Sequence, residues 1–235
     1  MRTSTRRNCP DYGTSFFYTI TNKEIQAVKR LRCKTGICCR RIVVNYKELV
    51  FLNSIISPNH YHLKIIQFLI KANGYYPNNP ALPVVLYKAA LRLPEEDADE
   101  LVKELFHQHG WNNHWVNGIY PYHHYHSNTH EVLGVIRGQG TVMLGGEKGV
   151  RQVLEKGDAI VLPAGVAHRN VESTKDFTVV GAYPDGKEYD MCYGKPDEHP
   201  QVDENISKVP LPRTDPLYGA NGPLLQHWKE HVLKA

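Results

Sequence analysis

No apolar run in this chain comes near the ~20 residues that a membrane-spanning helix needs; the longest, 16–20 and 49–56, are short and interrupted. Cysteine is scarce where a disulfide scaffold would require it. Four of the five, Cys9, Cys33, Cys38 and Cys39, crowd the first forty residues, and Cys192 stands alone beyond them. Their spacing is neither a paired zinc knuckle nor a redox CxxC. An odd total with a single cysteine in the body matches a reducing compartment, and no stretch resembles a secretory signal, so a cytoplasmic protein is expected. There is no serine or cysteine nucleophile signature. Gly145, Gly146 and Gly149 lack the spacing and following helix of a phosphate loop. Basic charge is also missing where it would matter. Residues 1–62 hold 11 of the 28 Lys and Arg but 3 of the 24 acids, which leaves 17 basic against 21 acidic groups in the remainder. The formal net charge of +4 therefore conceals an acidic body, which argues against a nucleic-acid partner.

Composition divides the chain near residue 63. The basic, cysteine-rich leader 1–62 shows no sustained period and reads as unstructured or non-native. It is upstream sequence read through from a misplaced start (with Leu63 as a candidate true beginning), a disordered basic arm or, least in keeping with its pattern, a transit peptide. The body 63–235 reads as one domain. Residues 64–70 are β-rich and end in the turn signal Asn73-Gly74, and three prolines hold 76–83 extended. A short strand is expected at 84–86. Glu95, Glu96 and Asp97 then suit a helix start, Leu101, Val102, Leu105 and Phe106 repeat on one face, and Gly110 supplies a stop. After Trp111 come short strands separated by glycine turns, at 132–136, 141–144, 159–162 and 177–181, which points to a sandwich or barrel. A loop is expected over 184–223 and a short helix over 224–233.

The chemistry concentrates between Asn117 and His168. His124 and His126 are two apart, so on a strand both imidazoles leave one face and can bind a single metal ion. Residues 127–130 can turn the chain and return Glu131 to the same side, with Leu133 and Val135 as apolar lining. Downstream, Gly157-Asp158 starts a turn, 159–162 forms a strand, Pro163 and Gly165 bend it, and His168 can complete the site. His130, beside Glu131, is an alternative ligand if the turn is tighter. His123 belongs to the opposite face, as a packing or interface residue or as a contact to a metal ligand or the substrate. Tyr122 shares the face of His124 and His126; it and His130 are the candidate catalytic bases. Trp115, Tyr120 and Tyr183 either line the pocket or fill the core. Asn117, Arg137 and Arg151 are anion contacts or solvated residues, and Asp158 reads as a turn residue.

Gly118, His124, His126, Glu131 and Gly138 match the pattern G-x5-H-x-H-x4-E-x6-G, and Gly157, Pro163, Gly165 and His168 match G-x5-P-x-G-x2-H, with 18 residues between the two. These two patterns resemble the paired motifs of the cupin superfamily. The second motif usually ends in Asn, where this chain has Glu172. Further segments, Trp115-Val-Asn-Gly, His123-His-Tyr-His-Ser, His130-Glu-Val-Leu-Gly-Val, Gly181-Ala-Tyr-Pro, Asp215-Pro-Leu-Tyr-Gly and Pro77-Asn-Asn-Pro, are similar to the bacterial YjlB-type cupins over roughly residues 64–228. The resemblance implies an all-β-dominated fold, a cupin jelly-roll β-barrel with a flanking helix before the barrel and a short C-terminal helix. It also implies dimerisation through outer strands.

Three imidazoles and a carboxylate suit one divalent ion, Fe, Mn, Ni, Zn or Co, without choosing among them. Open coordination positions would make the site catalytic. The expected function is a metal-dependent enzyme on a small polar molecule, an oxygenase or an isomerase. The alternative is a non-catalytic small-molecule-binding or sensing protein, and a storage-like scaffold comes third.

Overall fold

The computed structural model describes residues 15–21, 24–33, 36–41, 56 and 64–233, in two compact units, Met1–Ser54 and Ile55–Ala235. In the first unit, strands β1 (Ser15–Thr21), β2 (Glu24–Cys33) and β3 (Gly36–Arg41) pair antiparallel in chain order, through hairpins closed by Thr21↔Glu24 and Cys33↔Gly36. These three strands and Ile56, bridged to Leu91, are the described part of residues 1–62. Cys9 and Leu63 lie outside the described residues.

The second unit runs β4 (Lys64–Phe68), β5 (Val84–Lys88), α1 (Ala98–Gln108), β6 (Trp111–Asn117), β7 (Glu131–Arg137), β8 (Gln139–Leu144), β9 (Val150–Glu155), β10 (Ala159–Leu162), β11 (His168–Ser173), β12 (Thr178–Pro184), α2 (Gln201–Lys208) and α3 (Pro223–Val232). The strands form a six-stranded sheet, β4-β5-β10-β7-β12-β6, and a three-stranded sheet, β11-β8-β9. The pairings of these two sheets are antiparallel. One cluster of buried side chains joins them. Val84, Leu86, Leu133, Val135, Ile160, Leu162 and Val179 come from the larger sheet, and Val142, Leu144 and Leu154 from the smaller. The jelly roll is therefore two sheets packed face to face rather than a continuously hydrogen-bonded ring. Each Leu, Ile or Val fully buried in it contributes about 1.5–3 kcal/mol.

Strand β7 lies at the centre and is buried on both sides. Leu133 and Val135 point into the inter-sheet core, and the alternate Gly134 faces outward under α1. A Cβ on Gly134 would come within 3.1 Å of both Phe106 and Val102, so the bare glycine lets the helix rest directly on the sheet. The buried stripe of α1 is Ala98, Val102, Leu105 and Phe106; Leu101, expected on that face, is only half-buried.

The expected loop over 184–223 is corrected by α2, whose Val202 and Ile206, four residues apart, are its buried pair. An eight-residue helix with two apolar anchors has too weak a period to stand out among prolines and acids. Strands β9 and β11 were likewise not expected. In β9 only Leu154 is fully buried, so its apolar pattern is faint. Among the described residues no helix is long and apolar enough to cross a membrane.

Candidate metal centre

His124 and His126 do not lie on a continuous strand. Each end of the segment is tied by a single antiparallel bridge, His124↔His168 and Tyr125↔Cys192. The period of two survives nevertheless. Tyr125 turns away into a separate buried cluster with Ala167, Cys192 and Val202, and the flanking imidazoles share the other side. Ring centroids are 4.2 Å apart for His124–His168, 5.9 Å for His124–His126 and 6.1 Å for His126–His168. Glu131 opens β7 among them, with Oε1 3.5 Å from His126 Nε2 and Oε2 3.4 Å from His168 Nε2. All four side chains are at most 5% exposed.

Backbone carbonyls set the tautomer of each ring. Nδ1–H of His124 donates to the Tyr122 carbonyl at 3.2 Å, that of His126 to the Asp190 carbonyl at 2.5 Å, and that of His168 to the Val166 carbonyl at 3.1 Å. A carbonyl can only accept, so Nδ1 carries the proton and Nε2 keeps its lone pair. The carboxylate is held as firmly. Trp115 Nε1–H donates to the Tyr183 hydroxyl at 2.8 Å, and that hydroxyl donates to Glu131 Oε1 at 2.8 Å. Glu131 Oε2 is buried without any hydrogen bond, a costly condition for a charged oxygen unless a cation completes it. Gly181 makes the relay possible, because a Cβ there would lie 2.1 Å from the Trp115 indole.

Burial would raise the Glu131 carboxyl, but His126, His168 and the Tyr183 hydrogen bond together bring it down to about 2. His168 falls to about 3 through burial and the neighbouring His124, and burial also lowers His124. His126 moves the other way: burial opposes, and Glu131 and Asp190 outweigh it. The result is an ionised carboxylate beside two imidazoles, His124 and His168, that burial favours in the neutral form, while the carboxylate favours the charged form of the third, His126. The four side chains are not at the distances of an assembled cage, and among the described residues no group of three or more His, Cys, Asp or Glu reaches that geometry. The donor set, the tautomers and the orphaned Oε2 nevertheless fit one divalent ion.

The four donors line a cavity of about 150 Å³, room for several water-sized groups. Trp115, Asn117, Tyr120 and Tyr183 from the sequence reading are among its walls, with Leu133 as expected. The structure does not bring Tyr122 or His130 into it. Tyr122 is 45% exposed and stacks on Tyr120 at 4.9 Å; what it lends the site is its carbonyl. His130 is fully buried elsewhere, its Nδ1 accepting from Ala164 N–H and its Nε2–H donating to the Pro210 carbonyl, with Trp228 packed at 4.7 Å. Arg137, Arg151 and Glu172 are exposed and outside the lining. Asp158 is buried and receives the Ala89 and Glu155 amides and Lys88, an anchor for the turn before β10. Sequence reasoning missed Tyr189, Asp190 and Met191. They sit in an irregular segment after β12, where no period marks them.

The family model for the cupin domain matches residues 115–180. The uncharacterized protein YjlB of Bacillus subtilis (strain 168) is 45% identical over 156 residues, which is 66% of this chain and 92% of that protein. Among solved structures, a DUF861-family protein from Thermotoga maritima is 20% identical and covers 38% of this chain and 94% of its own, at a TM-score of 0.26. The dTDP-4-dehydrorhamnose 3,5-epimerase of Elizabethkingia anophelis is 11% identical and covers 55% and 76%, at a TM-score of 0.32. At TM-scores of this size neither likeness carries an argument about chemistry.

Proposed function

Because this chain belongs to the cupin superfamily, among its YjlB-type members, we propose that His124, His126, Glu131 and His168 hold one divalent metal, and that the site turns over a small polar molecule. One observation carries the reading: three imidazoles, each anchored through Nδ1 to a backbone carbonyl, surround a carboxylate whose Oε2 is buried without a hydrogen bond. Fe, Mn, Ni, Zn or Co would be accommodated by such donors. When bound, the ion would supply a Lewis acid with positions left for a substrate oxygen.

The chain's own residues do the rest. Tyr183 holds Glu131 Oε1 and leaves Oε2 to the ion, and Trp115 in turn holds Tyr183. Ile119, Leu133 and Met191 form an apolar wall that keeps bulk water from the reacting groups. Catalytic roles for Tyr122 and His130 are not part of this proposal, since neither side chain lines the cavity. Oxygenation and isomerisation both suit a site of this kind.

The test is elemental analysis of anaerobically purified full-length protein beside a His124→Ala/His126→Ala variant. About one equivalent of metal in the wild type and none in the variant is expected. Iron would direct the next assay to oxygen consumption, and zinc to isomerisation. A wild type that takes up no metal after reconstitution overturns the proposal in favour of a metal-free binding protein.

A further inference from the structure

Resting on the site reading above, we propose that the molecule taken into the cavity is an uncharged, hydroxyl-bearing ring, either a phenolic ring or a sugar ring, and that phosphorylated, sulfonated and polycarboxylate molecules are excluded.

The first argument is charge. Among the described residues the lining contains no Lys or Arg, and its one carboxylate, Glu131, is an anion. Arg169 and Lys195 line a separate groove, together with Tyr76, His123 and Glu147. Arg169 Nε donates to His123 Nε2 at 3.1 Å, and its guanidinium lies 3.9 Å from Glu147. Lys195 sits over the Tyr193 ring, 5.5 Å from its centroid. With a divalent ion bound, Glu131 would leave the site a single net positive charge, which one ionised hydroxyl of an otherwise uncharged ring balances; a phosphate, a sulfonate or a further carboxylate would exceed that charge and lose its hydration with no side-chain counter-ion. Such burial is heavily unfavourable.

The second argument is shape. Tyr120 and Tyr189 are both cavity-lining and close to half-exposed, so they stand at the mouth. Each is braced by a second tyrosine. Tyr120 stacks on Tyr122 at 4.9 Å with 15° between planes, and Tyr189 on Tyr183 at 4.7 Å with 28°. Tyr189 also covers His126 at 4.7 Å. Two braced flat faces above a polar donor cluster suit a ligand that is flat and apolar on its faces and polar at its edge. A volume of about 150 Å³ takes one such ring; it lies below the ~300–1,000 Å³ of drug-sized pockets.

The experiment is a calorimetric titration of the metal-loaded full chain with two matched pairs, catechol against its ring sulfonate and glucose against its phosphate monoester, with metal content measured in the same samples. The uncharged member of at least one pair is expected to bind at least about tenfold more tightly than its charged partner. The pair that responds identifies the phenolic or the sugar source. Tyr120→Arg, which places a cation at the exposed mouth, should narrow that gap with metal content unchanged. Charged members binding as tightly as uncharged ones, or no uncharged member binding at millimolar concentration, would overturn the assignment. A wild type without metal overturns the metal reading alone; the same pairs are then compared on the metal-free cavity, where Glu131 is the one carboxylate of the lining and the uncharged members should again bind more tightly.

Discussion

Two clusters of imidazole, carboxylate and tyrosine lie on either side of residues 122–126, and they differ in what surrounds the same functional groups. On one side, His124, His126 and His168 meet Glu131, whose side chain is 3% exposed, and every ring is anchored to a carbonyl. On the other, His123 packs on Tyr76 at 5.3 Å, accepts from Arg169 and lies 3.5 Å from Glu147, whose side chain is 72% exposed. In the first cluster the Nε2 atoms of His126 and His168 face a carboxylate with one oxygen free of hydrogen bonds. In the second, the imidazole's acceptor nitrogen is already taken by a guanidinium, and the carboxylate is solvated. Residue type alone does not make a metal centre; the orientation of the second nitrogen and the exclusion of water do.

The comparison breaks most visibly if the wrong cluster loses the metal. His124→Ala/His126→Ala should fall from about one equivalent to none by elemental analysis, and should lose the added stability that saturating metal gives the wild type, about 2.7 kcal/mol at a hundredfold excess over Kd. Tyr183→Phe should keep the stoichiometry but weaken affinity about 10–100-fold in chelator competition, because Glu131 Oε1 loses its donor; unaltered affinity would remove Tyr183 from the site's support. His130→Ala is expected to cost about 2–4 kcal/mol in denaturant unfolding, through a cavity beside Trp228 and an unpaired Ala164 amide, while binding metal as before. Metal loss there, with the fold intact, would return His130 to the ligand set. His123→Ala should cost about 1 kcal/mol and leave metal content unchanged. Smallest of all, a chain beginning at Leu63 should bind metal like the full chain, since the four donors lie within the unit Ile55–Ala235; a truncated chain that folds without binding metal would tie the leader to the site.

Legibility followed signal strength. The helix α1, the strands β7 and β10 and the C-terminal helix could be read because each carries several apolar residues at one period. The two motifs pointed to the proposed donors through their spacing: one residue between the imidazoles, a short turn, then the carboxylate. The helix α2 and the strands β9 and β11 were missed because each buries few apolar side chains. For Tyr122, alternation puts its ring beside His124, and the two rings do meet edge-on at 5.9 Å, but Tyr122 also stacks on Tyr120 and lies outside the cavity lining. For His130, adjacency to Glu131 gave no hint that β7 begins between them and sends the imidazole under Trp228.

The amino-acid sequence by itself determined the sheet-rich class and the acidic character of the body, and it carries the two motifs on which the proposed donor set rests, since short-range period, charge and motif spacing are properties of residues and their order. Only the tertiary structure decided which nitrogen of each imidazole faces the centre, that Tyr183 rather than Tyr122 touches the carboxylate, and that Arg169 and Lys195 stay outside the cavity. The His124 and His168 rings bond carbonyls only two residues away, Tyr122 and Val166, but the His126 ring, the Glu131 carboxylate and the separate groove depend on groups brought in from residues 169–195, and contacts across such separations are selected by packing and hydrogen-bond satisfaction, which no local pattern encodes.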